Sequence, residues 1–247
     1  MNIITLTSAT GNNMAVTDRE LKRHGHTGVA LNISDVARCG AVGRAAVLNI
    51  PTVVYEPAMP LAADRDGRRA AQRRYHDHLA CLLRQWESWN GRIDLIVLAY
   101  HRFIEGEFLT HYGGRIINQH PGDLTVHGPD GQRLFIGMRA VGKAFELQWQ
   151  RTRTTTILVD DRLDGGPIIA RGPAVDFLDR YTEDLEQYLR DHEERQKTVS
   201  DTPALAWVLE SFLAGSLRFA DLHGRPWPYL EGTPLPAEGY SVGEKPW

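Results

Sequence analysis

An uninterrupted apolar run in the middle of the chain, residues 95–99 (Leu-Ile-Val-Leu-Ala), sets the strongest limit on the fold. A strand that faces water on one side alternates apolar with polar residues, whereas a parallel strand covered by helices on both faces does not. Parallel strands also need long connections between them, and these are usually helices. The run therefore predicts an α/β architecture.

Short β-branched segments alternate with helical patterns on both sides of this run. Between residues 68 and 89, apolar side chains recur at spacings of three and four, which predicts an amphipathic helix. Strands that alternate with helices predict a Rossmann-like, open, mostly parallel twisted sheet. The predicted strands are residues 3–7, 29–33, 52–55, 95–99 and 115–118, and the apolar face of the helix is Ala71, Tyr75, Leu79, Leu82 and Trp86.

The second half of the chain has a different pattern. Residues 154–159 and 168–170 flank an Asp-Gly-Gly-Pro turn, which predicts a hairpin, and a proline-rich tail from residue 225 predicts short strands and turns. Because no internal repeat or low-complexity linker is visible, we predict a single domain, residues 1–247, with a C-terminal β/helical extension. The further helices that we predict are residues 14–23, 35–48, 179–197 and 203–213.

Composition narrows the functional classes. The 28 basic and 31 acidic residues give a net charge of −3, which argues against a nucleic-acid polymer as the main partner. No apolar stretch approaches the roughly 20 residues that span a bilayer, so no membrane partner is expected. Two cysteines without a motif predict a reducing, cytoplasmic location and exclude a cysteine zinc site. The histidines show no metal-ligand spacing, and no metal is predicted.

Asn118 and His120 lie two residues apart at the end of a predicted strand, so their side chains point to the same face. An amide donor beside an imidazole suits a reaction through an oxyanionic tetrahedral intermediate, in which the amide holds the oxyanion and the imidazole handles a proton. The alternative is that both side chains only satisfy hydrogen bonds in the loop that follows.

Two further loops follow predicted strands, where ligands of open α/β sheets bind. Asp164 precedes two glycines, and a carboxylate on such a turn can orient an imidazole, although turns are also the commonest place for Asp. The loop of residues 8–13 leads into a predicted helix, whose first N–H groups attract a phosphate. It lacks the glycines of a dinucleotide motif, so a simple helix cap is the alternative.

The Asn-x-His-Pro motif of residues 118–121 and the Leu-Asp-Gly-Gly-Pro-Ile-Ile segment of residues 163–169 resemble those of the folate-dependent formyltransferases. The similarity extends from the N-terminal strand to residues 232–240 and is greatest to members that act on glycinamide ribonucleotide. It implies transfer of a formyl group from 10-formyltetrahydrofolate to an amine. Residues 1–113 would then form the nucleotide and acceptor half, and residues 114–247 the folate and catalytic half.

Position by position, the resemblance implies that Asn118 holds the oxyanion, that His120 stabilises it and moves protons, and that Asp164 pairs with His120 and helps to deprotonate the amine. It places the phosphate of the acceptor at Gly11, Asn12 and Asn13. Arg73 or Arg74 is the candidate for the folate glutamate, with a solvated helix face as the alternative. The residues expected to bind folate are Arg102, Phe103, Ile104, Asp160, Asp161 and Leu163.

Departures from the family pattern cluster on the acceptor side. Residues 122–125 read Gly-Asp-Leu-Thr where the family has Ser-Leu-Leu-Pro, and Thr198 and Val199 stand where it has a Glu-His pair. The phosphate loop is also altered, and extra residues lie between 139 and 154, including Trp149. We therefore expect a small amine acceptor other than the standard purine intermediate.

Three alternative functions stay open. The chain is a phosphoribosylglycinamide formyltransferase of purine synthesis, a formyltetrahydrofolate hydrolase, or a non-catalytic folate-binding homologue. A homodimer is the separate expectation for its assembly. Hydrolases of this type carry an extra N-terminal domain, whereas the first strand here begins near residue 2. Formylation of methionyl-tRNA is disfavoured because it needs a further C-terminal domain.

Overall fold

The structure is a computed structural model that describes residues 1–58, 64–178 and 184–243, and the chain packs as two compact units, Met1–Ile117 and Asn118–Trp247. Within the described ranges, every helix is too short or too polar to cross a membrane. The helices are α1 (Asn12–Arg23), α2 (Gly40–Leu48), α3 (Arg65–Asn90), α4 (Glu107–Tyr112), α5 (Ala140–Glu146), α6 (Leu185–Gln196) and α7 (Thr202–Leu213). The strands are β1 (Ile3–Thr7), β2 (Leu31–Ser34), β3 (Thr52–Val54), β4 (Leu95–Ala99), β5 (Ile116–His120), β6 (Arg151–Thr152), β7 (Thr155–Leu158), β8 (Ile168–Arg171), β9 (Val175–Asp176), β10 (Leu217–Leu222), β11 (Arg225–Leu230), β12 (Thr233–Pro234) and β13 (Tyr240–Ser241).

The first unit contains a parallel sheet in the order β4-β1-β2-β3. The four apolar residues at the start of β4 are at most 3% exposed, as the lack of alternation predicts for a strand covered on both faces. Helix α2 begins at Gly40, and the predicted start at Asp35 was wrong. Asp35 instead directly follows β2, at the end of the strand where ligands of such sheets bind.

Helix α3 buries one long face. Ala71, Tyr75, Leu79 and Leu83 are all at most 6% exposed, and His76 and Ala80 are fully buried. The prediction placed Leu82 on this face, but Leu82 is 38% exposed and its neighbour Leu83 takes the core position. The reason is geometric, because residues four apart do not complete a whole turn of 3.6 residues, so the buried face rotates along a long helix and reaches Leu83 instead of Leu82.

The second unit contains β13, β8, β7 and β5 in that order, with β7 and β8 antiparallel as the hairpin pattern predicts. Strands β10, β11 and β12 form a small antiparallel sheet, and β6 pairs with β9. The predicted helix 179–197 begins in residues that lie outside the described ranges. Its described part, α6, continues as a π-helix, Lys197–Asp201, directly into α7.

The loop after β5 is tied to two neighbouring elements. Gln196, at the end of α6, donates its side-chain amide to the carbonyl oxygen of Pro121 at 3.0 Å and to the hydroxyl of Thr154 at 3.1 Å. The hydroxyl of Thr155 donates to the carbonyl oxygen of Gly122 at 2.8 Å and accepts from the N–H of Leu124 at 3.1 Å. The backbone that follows His120 is therefore fixed on both sides.

Candidate active site

His120 is the last residue of β5 and is only 4% exposed. Its Nδ1 lies 3.3 Å from Oδ2 of Asp164, and its Nε2 lies 2.5 Å from the carbonyl oxygen of Phe135. Burial lowers the pKa of His120, while the Asp164 carboxylate and the Phe135 carbonyl act in the opposite direction. The imidazole thus has an acceptor for a proton on each ring nitrogen.

The Asp-Gly-Gly turn places Asp164 against this imidazole. Asp164 adopts a left-handed backbone, with a φ of 47°, which Asp tolerates better than most residues. A Cβ added at Gly166 would lie 1.8 Å from the carbonyl oxygen of Leu158, so only glycine lets the turn approach β7 this closely. The glycine is therefore needed to bring the carboxylate to the end of the sheet.

Asn118 lies two residues before His120 on the same strand, and its side chain is half-buried. The residue between them, Gln119, belongs to the opposite face and donates its amide to the carbonyl oxygen of Asp201 at 2.7 Å. The structure therefore brings His120 and Asp164 into contact and keeps Asn118 on the strand face of His120, as the spacing predicts.

Three groups around Asp164 and His120 escaped the sequence analysis. The N–H of Gly137 donates to Oδ2 of Asp164 at 2.8 Å, and the Arg133 guanidinium donates to the carbonyl oxygen of Asp164. Burial and the neighbouring Arg162 lower the pKa of Arg133. The third group is the carbonyl of Phe135. Backbone groups carry no residue-type pattern, so only the structure reveals two of these three contacts.

The predicted phosphate loop leads into α1 in the first unit. Gly11 is the N-cap residue and supplies no side-chain hydrogen bond to the helix. Asn12 accepts a hydrogen bond from the Arg44 guanidinium, and Asn13 donates to the carbonyl oxygen of Leu98 at 3.5 Å. Arg44, on α2, adds a cation beside this loop that sequence analysis did not identify.

The predicted folate segment after β4 has three different environments. Arg102 pairs with Asp35, with 2.5 Å between Nε and Oδ2, and the carbonyl oxygen of Phe103 accepts the amide of Gln72 at 2.7 Å. Ile104 is 2% exposed and belongs to the core of the first unit. Its side chain is therefore a packing group rather than an accessible contact.

The second predicted folate segment precedes Asp164. Asp160 pairs with Arg162 within its own turn, with 2.5 Å between Oδ2 and Nη2, and Asp161 is exposed. Leu163 is 53% exposed although it adjoins the buried Asp164 carboxylate. The two candidates for the folate glutamate, Arg73 and Arg74, are both exposed on α3, so the structure leaves the choice between them open.

The segments in which the sequence departs from the family pattern, on the acceptor side, can be located in the structure. Thr198 and Val199 lie in the π-helix, and the apolar side chain of Val199 is 40% exposed. Residues 139–154 form α5, a turn and β6. A Cβ added at Gly122 would lie 2.9 Å from Nε2 of His120, so the glycine after the Asn-x-His-Pro motif allows the close packing around the imidazole.

A family model described as Formyl transferase matches residues 1–200. The chain belongs to the formyl transferase family. The predicted membership is thereby confirmed, and the chain is an enzyme of folate-dependent formyl transfer.

Two curated relatives are also named as formyltransferases. The chain is 30% identical over 167 residues to the phosphoribosylglycinamide formyltransferase of Bacillus subtilis (strain 168), covering 66% of this chain and 74% of the relative. It is 25% identical over 246 residues to the enzyme of the same name from Escherichia coli (strain K12), covering 99% and 100%. Both relatives are named for phosphoribosylglycinamide, the acceptor of one alternative left open by the sequence, and not for another small amine.

Solved structures bear on the fold. The phosphoribosylglycinamide formyltransferase of Coxiella burnetii, solved in complex with CHES, superposes with a TM-score of 0.73 at 22% identity. The match covers 98% of this chain and 99% of that one. The predicted α/β fold with a mostly parallel sheet is confirmed, and the small antiparallel sheet of β10–β12 follows it in the chain.

Proposed function

We propose that the chain transfers the formyl group of 10-formyltetrahydrofolate to the primary amine of phosphoribosylglycinamide. The contact between His120 and Asp164, with Asn118 on the same strand face, is the observation that carries this proposal. It lies within the residues that match the family, and the curated relatives carry the name of this acceptor. The arrangement also suits acyl transfer on chemical grounds alone, because it combines an amide donor, an imidazole and a carboxylate.

The mechanism requires one bond to form and one to break. The neutral amine nitrogen attacks the formyl carbon, which forms a C–N bond and an oxyanion. Asn118 donates its amide to that oxyanion, and the imidazole of His120 stabilises it through the positive charge that the ring gains with a second proton. Collapse of the intermediate then breaks the bond between the formyl carbon and N10 of the folate.

Proton balance gives His120 and Asp164 their roles. The attacking amine loses a proton, and the leaving N10 gains one, so the reaction needs no net acid. Asp164 is held by the N–H of Gly137 and lies 3.3 Å from Nδ1 of His120, which fits a carboxylate that keeps the imidazole oriented while protons move through water. Burial disfavours the charged imidazole at rest, so His120 is charged only when a proton arrives.

The remaining predicted residues receive binding roles in this proposal. Gly11, Asn12 and Asn13, with Arg44 beside them, hold the phosphate at the start of α1, where helix N–H groups favour anions. The folate lies against residues 102–104 and 160–163. The reaction takes place without a metal in the cytoplasm, in keeping with the two unpaired thiols of Cys39 and Cys81.

A second candidate is transfer to a small amine that is not a nucleotide. It is favoured by the exposed Val199, where the family places a Glu-His pair, because an apolar side chain offers no hydrogen bond to ribose hydroxyls. The chemistry at His120 is the same in both candidates, and only the acceptor differs.

The test is a transfer assay with purified protein and 10-formyltetrahydrofolate, in which products are identified by mass spectrometry. Phosphoribosylglycinamide should give the formylated product, and growth of a purine auxotroph should be restored. A panel of amino sugars and amino acids separates the second candidate from the first. Release of formate at the same rate with and without any amine would contradict both and indicate a hydrolase.

A further inference from the structure

The second unit contains a cavity beside the catalytic imidazole that the proposed reaction with a nucleotide does not use. Its volume is about 130 Å³, and its walls come from the loop after His120 and from α5 to β6. The lining residues that matter below are Gly122, Asp123, Phe135, Ala144, Trp149 and Arg151.

The cavity shares its floor with the surroundings of His120. A Cβ added at Gly122 would lie 2.5 Å from the Phe135 carbonyl oxygen, 2.9 Å from Nε2 of His120 and 3.0 Å from Cβ of Ala140. Gly122, Phe135 and Ala140 all line the cavity. A group in the cavity is therefore separated from the imidazole by little more than a glycine backbone.

Most of the lining side chains are aromatic or aliphatic. The rings of Phe135 and Trp149 meet edge to face, with their centroids 5.7 Å apart. Ala144 is 3% exposed, whereas Trp149 is 41% exposed. The phenyl ring of Phe135 and the indole of Trp149 form two of the walls. Because Trp149 is partly exposed, a ligand can enter the cavity from its side.

The charged residues of the lining are already paired with other residues of the chain. Oδ2 of Asp123 lies 3.6 Å from Nε of Arg153, and Nε of Arg151 lies 3.2 Å from Oδ1 of Asp176. The Thr152 hydroxyl bonds to His192 at 2.7 Å. A polar or charged occupant would have to compete with these contacts, whereas an apolar occupant would not.

The size of the cavity limits the occupant. An apolar protein cavity of roughly 150 Å³ binds benzene. A cavity of about 130 Å³ therefore suits a branched aliphatic group or a six-membered ring, and not a nucleotide.

We propose that this cavity is a specificity pocket for a compact apolar group, and that the enzyme formylates primary amines that carry such a group close to the nitrogen. The inference rests on the proposed formyl transfer for its chemistry, but the binding of the apolar group does not depend on it. Gly122 lies between the pocket and His120 and keeps the two close together, and Trp149 with Phe135 recognises the group.

The experiment has a binding arm and a turnover arm. Benzylamine, 2-phenylethylamine and 3-phenylpropylamine are added to the full chain, and binding is followed by ligand-observed NMR. The same amines and methylamine are then used as acceptors with 10-formyltetrahydrofolate. One member of the series should exceed methylamine by at least ~10-fold in kcat/KM, because filling a hydrophobic pocket discriminates on this scale.

Two variants and a matched control test the pocket itself. Ala144→Phe fills it and should weaken aromatic amine binding by at least ~10-fold, and it should remove the preference over methylamine. Trp149→Ala widens it and should shift the preference toward larger rings. Gly142→Ala adds one methyl group on the same helix, 3.8 Å from Leu189, and should change neither measurement.

The outcomes separate this inference from the proposed function. Transfer to phosphoribosylglycinamide without binding of any aromatic amine would overturn the pocket and leave the proposed function standing. Aromatic amine binding that Ala144→Phe abolishes, without transfer to any amine, would support the binding of an apolar group in the pocket, and it would contradict both the formylation of such amines and the proposed function. An unchanged preference in a folded Ala144→Phe protein would also overturn the pocket, and Trp149→Ala provides the same test if Ala144→Phe does not fold.

Discussion

His76 in the first compact unit and His120 in the second are both buried, and their surroundings are opposite. His76, on α3, is fully buried among the rings of Tyr75, Tyr100 and Phe108, with centroid distances of 5.4, 6.1 and 6.2 Å. Its Nδ1 finds no hydrogen-bond partner among the described residues. His120, by contrast, has the Asp164 carboxylate on one ring nitrogen and the Phe135 carbonyl on the other.

The difference shows that burial does not by itself suit a histidine to proton transfer. Burial lowers the pKa of both residues, and for His76 it does so to about 4, with Arg102 acting in the same direction. An imidazole in an aromatic cluster stays neutral and serves packing. An imidazole between a carboxylate and a carbonyl can hold a second proton briefly, which is the requirement for proton transfer.

The largest expected effect separates the two histidines by activity. His120→Ala or Asp164→Asn should lower formyl transfer by ~10²- to 10⁴-fold, since each removes an acid–base or oxyanion-stabilising group, while equilibrium binding of the folate survives. His76→Phe is the matched control, because it keeps a buried ring, and it should retain most of the activity. Near-normal turnover in both active-site variants would end the proposed mechanism.

The next largest expected effect distinguishes His76 from His120 by the pH dependence of the free energy of unfolding. His76 is neutral in the folded chain and takes up a proton on unfolding, so its stabilisation is complete above pH 6.5 and is lost as the pH falls toward 4. A shift of this size is worth roughly 3 kcal/mol in the free energy of unfolding, at ~1.4 kcal/mol per pKa unit. Urea titrations from pH 7 to 4 should show a shallower loss for His76→Phe than for the wild type.

If the free energy of unfolding falls with pH in parallel for the two proteins, the titration of His76 does not govern acid stability. The contrast between His76 and His120 would then have no consequence for stability. Because His120 is present in both proteins, its own titration cancels from the difference.

The smallest effect concerns the carbonyl partner of His120. Gly122→Ala would bring a methyl group within 2.5 Å of the Phe135 carbonyl oxygen, which forces the loop or the imidazole to shift. Overpacking of this kind costs about 1–3 kcal/mol, and transfer should fall with it. Gly142→Ala, whose Cβ would make only an ordinary contact with Leu189 at 3.8 Å, should be nearly silent in both measurements. Equal behaviour of the two alanines would show that the carbonyl contact is dispensable.

Sequence patterns identified the parts of the fold that repeat a simple rule. The apolar run of β4 and the hairpin around Asp164 are each set by local residue order, and both are present. Short helices were missed, because α4 and α5 are only 6 and 7 residues long and offer too few positions for a period to show. The prediction of Leu82 in place of Leu83 has a similar cause. Which of two adjacent leucines on a helix is buried depends on the residues that pack against the helix, and the local sequence does not show them.

The candidate site likewise contains residues that the sequence predicts and contacts that only the structure shows. Asn118, His120 and Asp164 were identifiable because the residue types carry the chemistry. The contacts of Gly137 and Phe135 were not, because they use backbone groups, and the pairing of Arg102 with Asp35 joins residues 67 positions apart. Long-range partners of this kind are fixed by the packed sheet and not by any local pattern.

The double attachment of the loop after His120 has an evolutionary consequence. Gln196 and Thr155 hold the backbone of this loop, so the imidazole keeps its position when side chains of the other cavity walls, such as Ala144 or Trp149, are replaced. Replacement of a cavity side chain therefore changes which amine fits without rebuilding the catalytic groups. A scaffold arranged in this way can diversify toward new acceptors by single substitutions, because recognition and chemistry reside on opposite sides of one fixed stretch of backbone.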